Sequence, residues 1–155
     1  MSIEKIVAKQ YRDKVNQAIS QFGSFSMLPP EGWLRTVRTA LGMSGPQLAK
    51  RLGVTKARIS KAEQAEPSGS VTLKTMQSMA EAMDCRFVYA IVPKQKVEDV
   101  IRQRAIEKAK IQVQAASTHM ALEAQSLSKE QLEFEINRIA AQIVDKMPAD
   151  LWNDG

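Results

Sequence analysis

Ile3, Val7, Tyr11, Val15, Ile19 and Phe22 recur three and four residues apart, the spacing that lines one face of an α-helix. Ile6 and Ala18 widen the stripe, and Gly23 ends it. The Ser24–Pro30 stretch, with Pro29 and Pro30 adjacent, reads as a connection. Such a helix can cover either the next domain or a second subunit, and the pattern does not choose between them.

From Gly32 the pattern shortens. Trp33, Leu34, Val37 and Leu41 make one apolar face closed by Gly42, with Trp33 expected in the core. Ser44 is suited to capping the next helix, because its hydroxyl can accept from exposed first-turn N–H groups. Pro46 loses no hydrogen bond in that first turn. Leu48, Ala49 and Leu52 face inward, Gly53 supplies a turn, and Thr55 caps a helix over 55–63 that turns Ile59 and Ala62 inward. Pro67-Ser68-Gly69-Ser70 reads as a loop, followed by a helix from about Leu73 to Met83 whose apolar side includes Met76, Met79 and Ala80.

Residues 85–93 are β-branched and aromatic and end at Pro93, which predicts a single strand. A strand needs a partner for its backbone groups. The nearest second copy is the same strand of another subunit, so a homodimer is expected. Beyond Lys94 the pattern predicts a long helix running toward Leu122, with Val97, Val100, Ile101, Ala105 and Ile111 as its stripe. A second helix starts near Ser128, where Gln131 completes a capping pattern, and carries Leu132, Ile136, Ile139, Ala140 and Ile143. The expected divisions are therefore 1–28, 31–84, 85–93 and 94–155.

Charge placement sharpens this picture. Residues 31–93 hold nine basic and five acidic residues, and no acid occurs between Glu31 and Glu63. That interval contains Arg35, Arg38, Lys50, Arg51, Lys56, Arg58 and Lys61, a run suited to a polyanion. Residues 111–155 reverse the balance with three basic and seven acidic residues, which argues against their lying on DNA. One cysteine, Cys85, excludes an internal disulfide and is expected to be a small buried residue. One histidine, His119, excludes any site needing two and is expected to pack or cap. No stretch approaches membrane-spanning length, so no membrane association is expected and the location is read as cytoplasmic. No phosphate-binding glycine loop, nucleophile elbow or carboxylate cluster is present, so no catalytic residue, cofactor or metal is expected.

The order helix, turn, helix, loop, helix sits on one run. Ser44 through Glu63, with Leu48-Ala49, Leu52-Gly53-Val54 and Ile59-Ser60, resembles the Xre, Cro and lambda-repressor type of helix-turn-helix. The likeness implies a mainly α fold, namely a lambda-repressor-like domain with one β-strand and long flanking helices. It implies that the helix over 55–63 enters the major groove of a near-palindromic operator in double-stranded DNA. Thr55, Lys56, Ala57, Arg58, Ser60 and Lys61 would face bases and phosphates there, with Arg58 the first candidate for a base and a phosphate role its alternative. Lys50, Arg51 and Lys61 suit phosphates, as do Ser44 and its helix N-terminus, and Gln47 is a further candidate for contact with DNA. Many members carry glutamine immediately after the cap. Here that position is Gly45, and Gln47 lies two residues on.

The whole chain is similar to a narrower family, mobile mystery protein A. The features are Gly32-Trp33, Val88-Tyr89-Ala90-Ile91-Val92-Pro93, His119-Met120-Ala121-Leu122-Glu123 and Leu151-Trp152. That likeness implies a regulator carried on mobile elements beside a Fic-domain partner, a fold that transfers AMP, and hence an antitoxin-like repressor of its own operon. An alternative follows, in which the C-terminal helices neutralise the Fic-domain partner. The motif by which other antitoxins inhibit Fic enzymes is approached only by Ser126 to Glu130 and fails at Gln131. Trp152 is a candidate anchor for a subunit or partner contact.

Overall fold

The computed structural model describes residues 2–24, 28–122 and 127–154, the side chains of 117 and 119–122 excepted. The expectation for His119, and Ser126 of the Fic-like stretch, lie outside the described residues, as do residues 25–27 of the predicted connection. The chain forms two compact units, one of Phe22–Ala90 and one of Met1–Gln21 with Ile91–Gly155.

The first unit packs four helices, α2 (Trp33–Ala40), α3 (Gly45–Leu52), α4 (Lys56–Ser68) and α5 (Leu73–Ala82). Its core is Leu34, Leu48, Ala49, Ile59, Met76, Met79 and Met83, with Val37, Met43, Val54 and Phe87 packed around it. Ala49 removes the bulk that would hold α3 and α4 apart. Each large side chain withdrawn here contributes roughly 1.5–3 kcal/mol. Trp33 departs from expectation: it is 39% exposed and outside the core. It stands at the first position of α2, where a large ring reaches the rim, and Leu34 takes the buried place.

That helix start is held from a distance. The Glu66 carboxylate on α4 accepts the N–H groups of Trp33 and Leu34, both at 2.8 Å. First-turn N–H groups have no intrahelical acceptor, and a carboxylate is favoured at the positive end of the helix dipole. Gly32 is required beside it. Its φ of +87° is left-handed, and a Cβ there would stand 2.8 Å from Glu66 Oε1.

α4 extends past its predicted end at Glu63 to Ser68, so Pro67 and Ser68 belong to the helix and not to a loop. Pro67 occupies the last turn, where only one backbone donor is lost, and Gly69 closes the helix at φ +79°.

In the other unit, α6 (Val97–Leu122) and α7 (Lys129–Lys146) form an antiparallel hairpin. Ile101, Ala105, Ala109 and Val113, four apart, form the buried seam of α6, and Ala140 and Ile143 are buried on α7. Ile111, expected in the stripe, points outward, because a seam stepping by four leaves it on the far side. Ser128 and Gln131 close the predicted capping box of α7. The tail folds back through Leu151, which is buried, while Trp152 stays largely exposed with Arg104 over its ring at 5.7 Å. Arg104 also donates to the Leu151 carbonyl at 2.7 Å.

α1 (Ile3–Phe22) contributes no buried residue. Its ties are polar: Lys5 to Asp145 at 2.8 Å, Asn16 Nδ2 to Glu98 at 2.9 Å, and the Val97 N–H to Asn16 Oδ1 at 2.8 Å. Arg12 Nε is buried without a hydrogen bond, 3.7 Å from Glu98.

No strand occurs among the described residues, and the expected strand at 85–93 carries no ladder in the single chain. A strand without a second strand has nothing to pair with. Phe87 and Tyr89 nevertheless stack at 5.7 Å, and Val88, Tyr89 and Ile91 are exposed, Ile91 by 92%. Cys85 is exposed, contrary to the expectation of burial. It lies just past the turn that ends α5, where Asp84 takes a left-handed φ of 57°.

Candidate nucleic-acid interface

The turn between α3 and α4 is made by local chemistry. Ser44 Oγ accepts the Gln47 N–H at 3.2 Å, and Gln47 Oε1 accepts the Ser44 N–H at 2.8 Å. Gln47, two residues beyond the expected glutamine position, thus holds the backbone at the start of α3. Gly53 takes φ +69° at the end of α3, and the Val54 N–H donates to the Ala49 carbonyl at 2.9 Å. Thr55 Oγ1 then accepts the Arg58 N–H at 3.2 Å and starts α4.

Burial fixes the orientation of α4. Ile59 is buried, with Ala62, Glu63 and Glu66 partly covered. At 3.6 residues per turn, Ala57, Lys61 and Gln64 lie opposite Ile59, with Lys56 and Ser60 on one flank and Arg58 on the other. Two clefts follow those flanks. Lys56 and Ser60 line one with Arg35, Gly45 and Gln64. Arg58 lines the other with Leu52, Val54, Lys74 and Ser78. Lys50, Lys56, Lys61, Arg58, Arg35 and Lys74 are all exposed, and their side chains make no ion pair or hydrogen bond among the described residues.

Two cations of the acid-free run are committed elsewhere. Arg38 makes a two-point bond to Glu63 at 2.5 and 3.1 Å and donates to the Met43 carbonyl at 2.9 Å. The side chains of the pair are only 17% and 10% exposed, and the bond to Glu63 raises the Arg38 pKa above its ordinary value. Arg51 donates to the Ala82 carbonyl at 2.6 Å and to Asp84 at 3.3 Å, which places it at the carbonyl end of α5.

Of the sequence-derived candidates, Lys56, Ala57, Ser60 and Lys61 are therefore gathered on α4, and Arg58 stands on its other flank. Ser44, Gln47 and Thr55 shape the backbone that presents them. Lys50 is exposed on α3, and Arg51 is tied to α5. Gln64 and Lys74 were missing from the sequence reading. The spacing Ala57, Lys61, Gln64 contains the first once α4 is allowed past Glu63. Lys74 carried no local signal.

A family model described as helix-turn-helix matches residues 34–89, a little over a third of the chain. That segment has a known class of role, and the match supports a DNA-binding transcription regulator in general, a regulatory domain and not a catalytic one. Neither the curated proteins nor the solved structures give a match to the chain. Among the described residues no helix is long and apolar enough to cross a membrane, and no group of three or more His, Cys, Asp or Glu is placed to hold a metal ion.

Proposed function

We propose that the protein is a sequence-specific repressor that binds an operator as a homodimer, with α4 in the major groove. The observation that carries this reading is the outer face of α4 and its flanks. Lys56, Lys61 and Arg58 stand exposed there with no carboxylate paired to them, while Glu63, which lines the Lys56 cleft together with Glu31, is occupied by Arg38. Ala57, Lys61 and Gln64 face the base edges. Arg58, on the α5 flank beside Lys74, takes a phosphate, as do Lys50 and Lys56. Two copies read half-sites about 34 Å apart. Residues 87–92 pair with the same segment of the second copy, which would satisfy an exposed apolar run that has no ladder of its own.

The operator is proposed to lie in the protein's own promoter, with an antitoxin-like role in a mobile-element operon. This rests on the likeness to mobile mystery protein A. Titrating that promoter DNA against salt tests the whole reading. Arg58→Ala is expected to weaken binding evenly across sequences and to reduce the salt slope by about one. Lys61→Ala is expected to relax discrimination between operator and mutated operator. Absence of any specific complex over the salt range overturns the proposal.

A second reading is favoured by one feature of the C-terminal hairpin. Phe134 on α7 is 67% exposed beside Leu127 and between Glu130 and Glu135, an apolar knob with an acidic rim. In this reading that surface binds and neutralises a Fic-domain partner. Full neutralisation by a chain lacking everything beyond Lys94 overturns it.

A further inference from the structure

α1 half-buries Ala8, Ala18 and Ile19 but leaves most of its large apolar side chains uncovered. The side toward α6 and α7 carries Lys5, Arg12 and Asn16, held by the polar ties described above. The apolar stripe is left in solvent, with Ile3 79%, Val7 42%, Tyr11 68% and Val15 41% exposed. Leaving an ordered apolar stripe in water costs free energy that a partner surface would recover.

The stripe also describes its partner. Its exposed middle reads Val7, Tyr11, Val15, the same in both directions about Tyr11, while Ile19 is half-buried. Two such helices laid antiparallel across a twofold axis at Tyr11 bring Val7 to Val15 and Tyr11 to its own copy. A twofold interface requires this self-complementarity. The same operation sets Glu4 opposite Ala18 and Lys14 opposite Ala8, so no like charges face each other. The spacing of four makes the stripe a single ridge of the kind that packs into the matching groove of an identical helix at about −50°.

We infer that α1 is a homodimerisation helix that crosses the α1 of a second copy antiparallel at Tyr11. This rests on the dimeric reading above only in requiring a second copy. It adds an interface separate from residues 87–92.

The test uses the full chain carrying Cys85→Ser, so that the only thiol is the one introduced. Tyr11→Cys and, as a control on the far face of α1, Lys9→Cys are each oxidised with copper phenanthroline, which takes up the two electrons and leaves one disulfide between copies. Tyr11→Cys is expected to become a covalent dimer at least tenfold faster than Lys9→Cys. In sedimentation equilibrium, Tyr11→Glu is expected to raise the dimer dissociation constant at least tenfold, with helix content by circular dichroism unchanged. A dimeric wild type in which Tyr11→Cys links no faster than the control, or in which Tyr11→Glu dimerises as well, overturns the α1 interface and leaves the dimeric reading standing. A wild type that is monomeric up to hundreds of micromolar overturns both.

Discussion

Around the core of α2 to α5, Leu48, Ile59 and Met79 are sealed inside and the unpaired cations stand outside. In α1 the arrangement is reversed. Asn16 and Arg12 face their neighbours, and Tyr11 and Ile3 face solvent. The helix-turn-helix unit has its own core. The unit formed by α1, α6 and α7 has a narrow, alanine-lined seam and an uncovered stripe, the condition of a part awaiting its counterpart.

The comparison can be tested from its strongest side downward. Leu48→Ala, at the centre of the complete core, is expected to lower stability by about 2–5 kcal/mol in urea denaturation. A loss below 1 kcal/mol would mean that the unit is not organised around that core. Arg38→Met strands the Glu63 carboxylate and is expected to cost roughly 3 kcal/mol, with much of it restored by adding Glu63→Leu. Failure of the second substitution to restore stability would show that the loss came from the Met43 carbonyl instead. Glu66→Ala removes the cap of α2 and is expected to cost about 1 kcal/mol, with amide exchange quickened first at Trp33 and Leu34. An unchanged exchange rate there would remove Glu66 from this role.

The polar ties of α1 give the smallest effect, and it depends on pH. The Asp145 carboxyl is held below its ordinary value by the hydrogen bond and charge of Lys5. Glu98 is likewise lowered, first by a bond to its own backbone and then by Asn16. A carboxyl lowered by folding adds stability above its unfolded value, and that contribution disappears as pH falls through the folded value. Lys5→Met should therefore melt slightly below wild type at pH 7. The gap should close as pH drops below the ordinary aspartate value of 3.8. A gap that persists in acid would mean that the Lys5 stem, and not its charge, holds α1.

The helix boundaries around the turn were legible because their causes are local. Ser44, Pro46, Gly53 and Thr55 act on backbone groups within a turn of themselves. The end of α4 was misread because Pro67 and Gly69 look like a loop. A proline in a final turn forfeits a single donor, and the packing of Glu63 and Glu66 against α2 outweighs that loss. Arg51 looked like a free cation because its acceptors are Ala82 and Asp84, beyond any local window. Trp33 and Cys85 were assigned to the interior by residue type, whereas a helix's first position and a segment just past a helix end are places where type says little. Gln64 became visible only when Ile59 fixed which way α4 is turned.

The contact between Gly32 and Glu66 makes the order of mutation matter. Shortening residue 66 while glycine stays removes a cap and leaves a working domain. A side chain at 32 while glutamate stays drives its Cβ into the carboxylate and forces an unfavourable backbone as well. Drift at this pair is therefore expected to begin at 66, because the left-handed backbone at 32 penalises any side chain whether or not the acid is there.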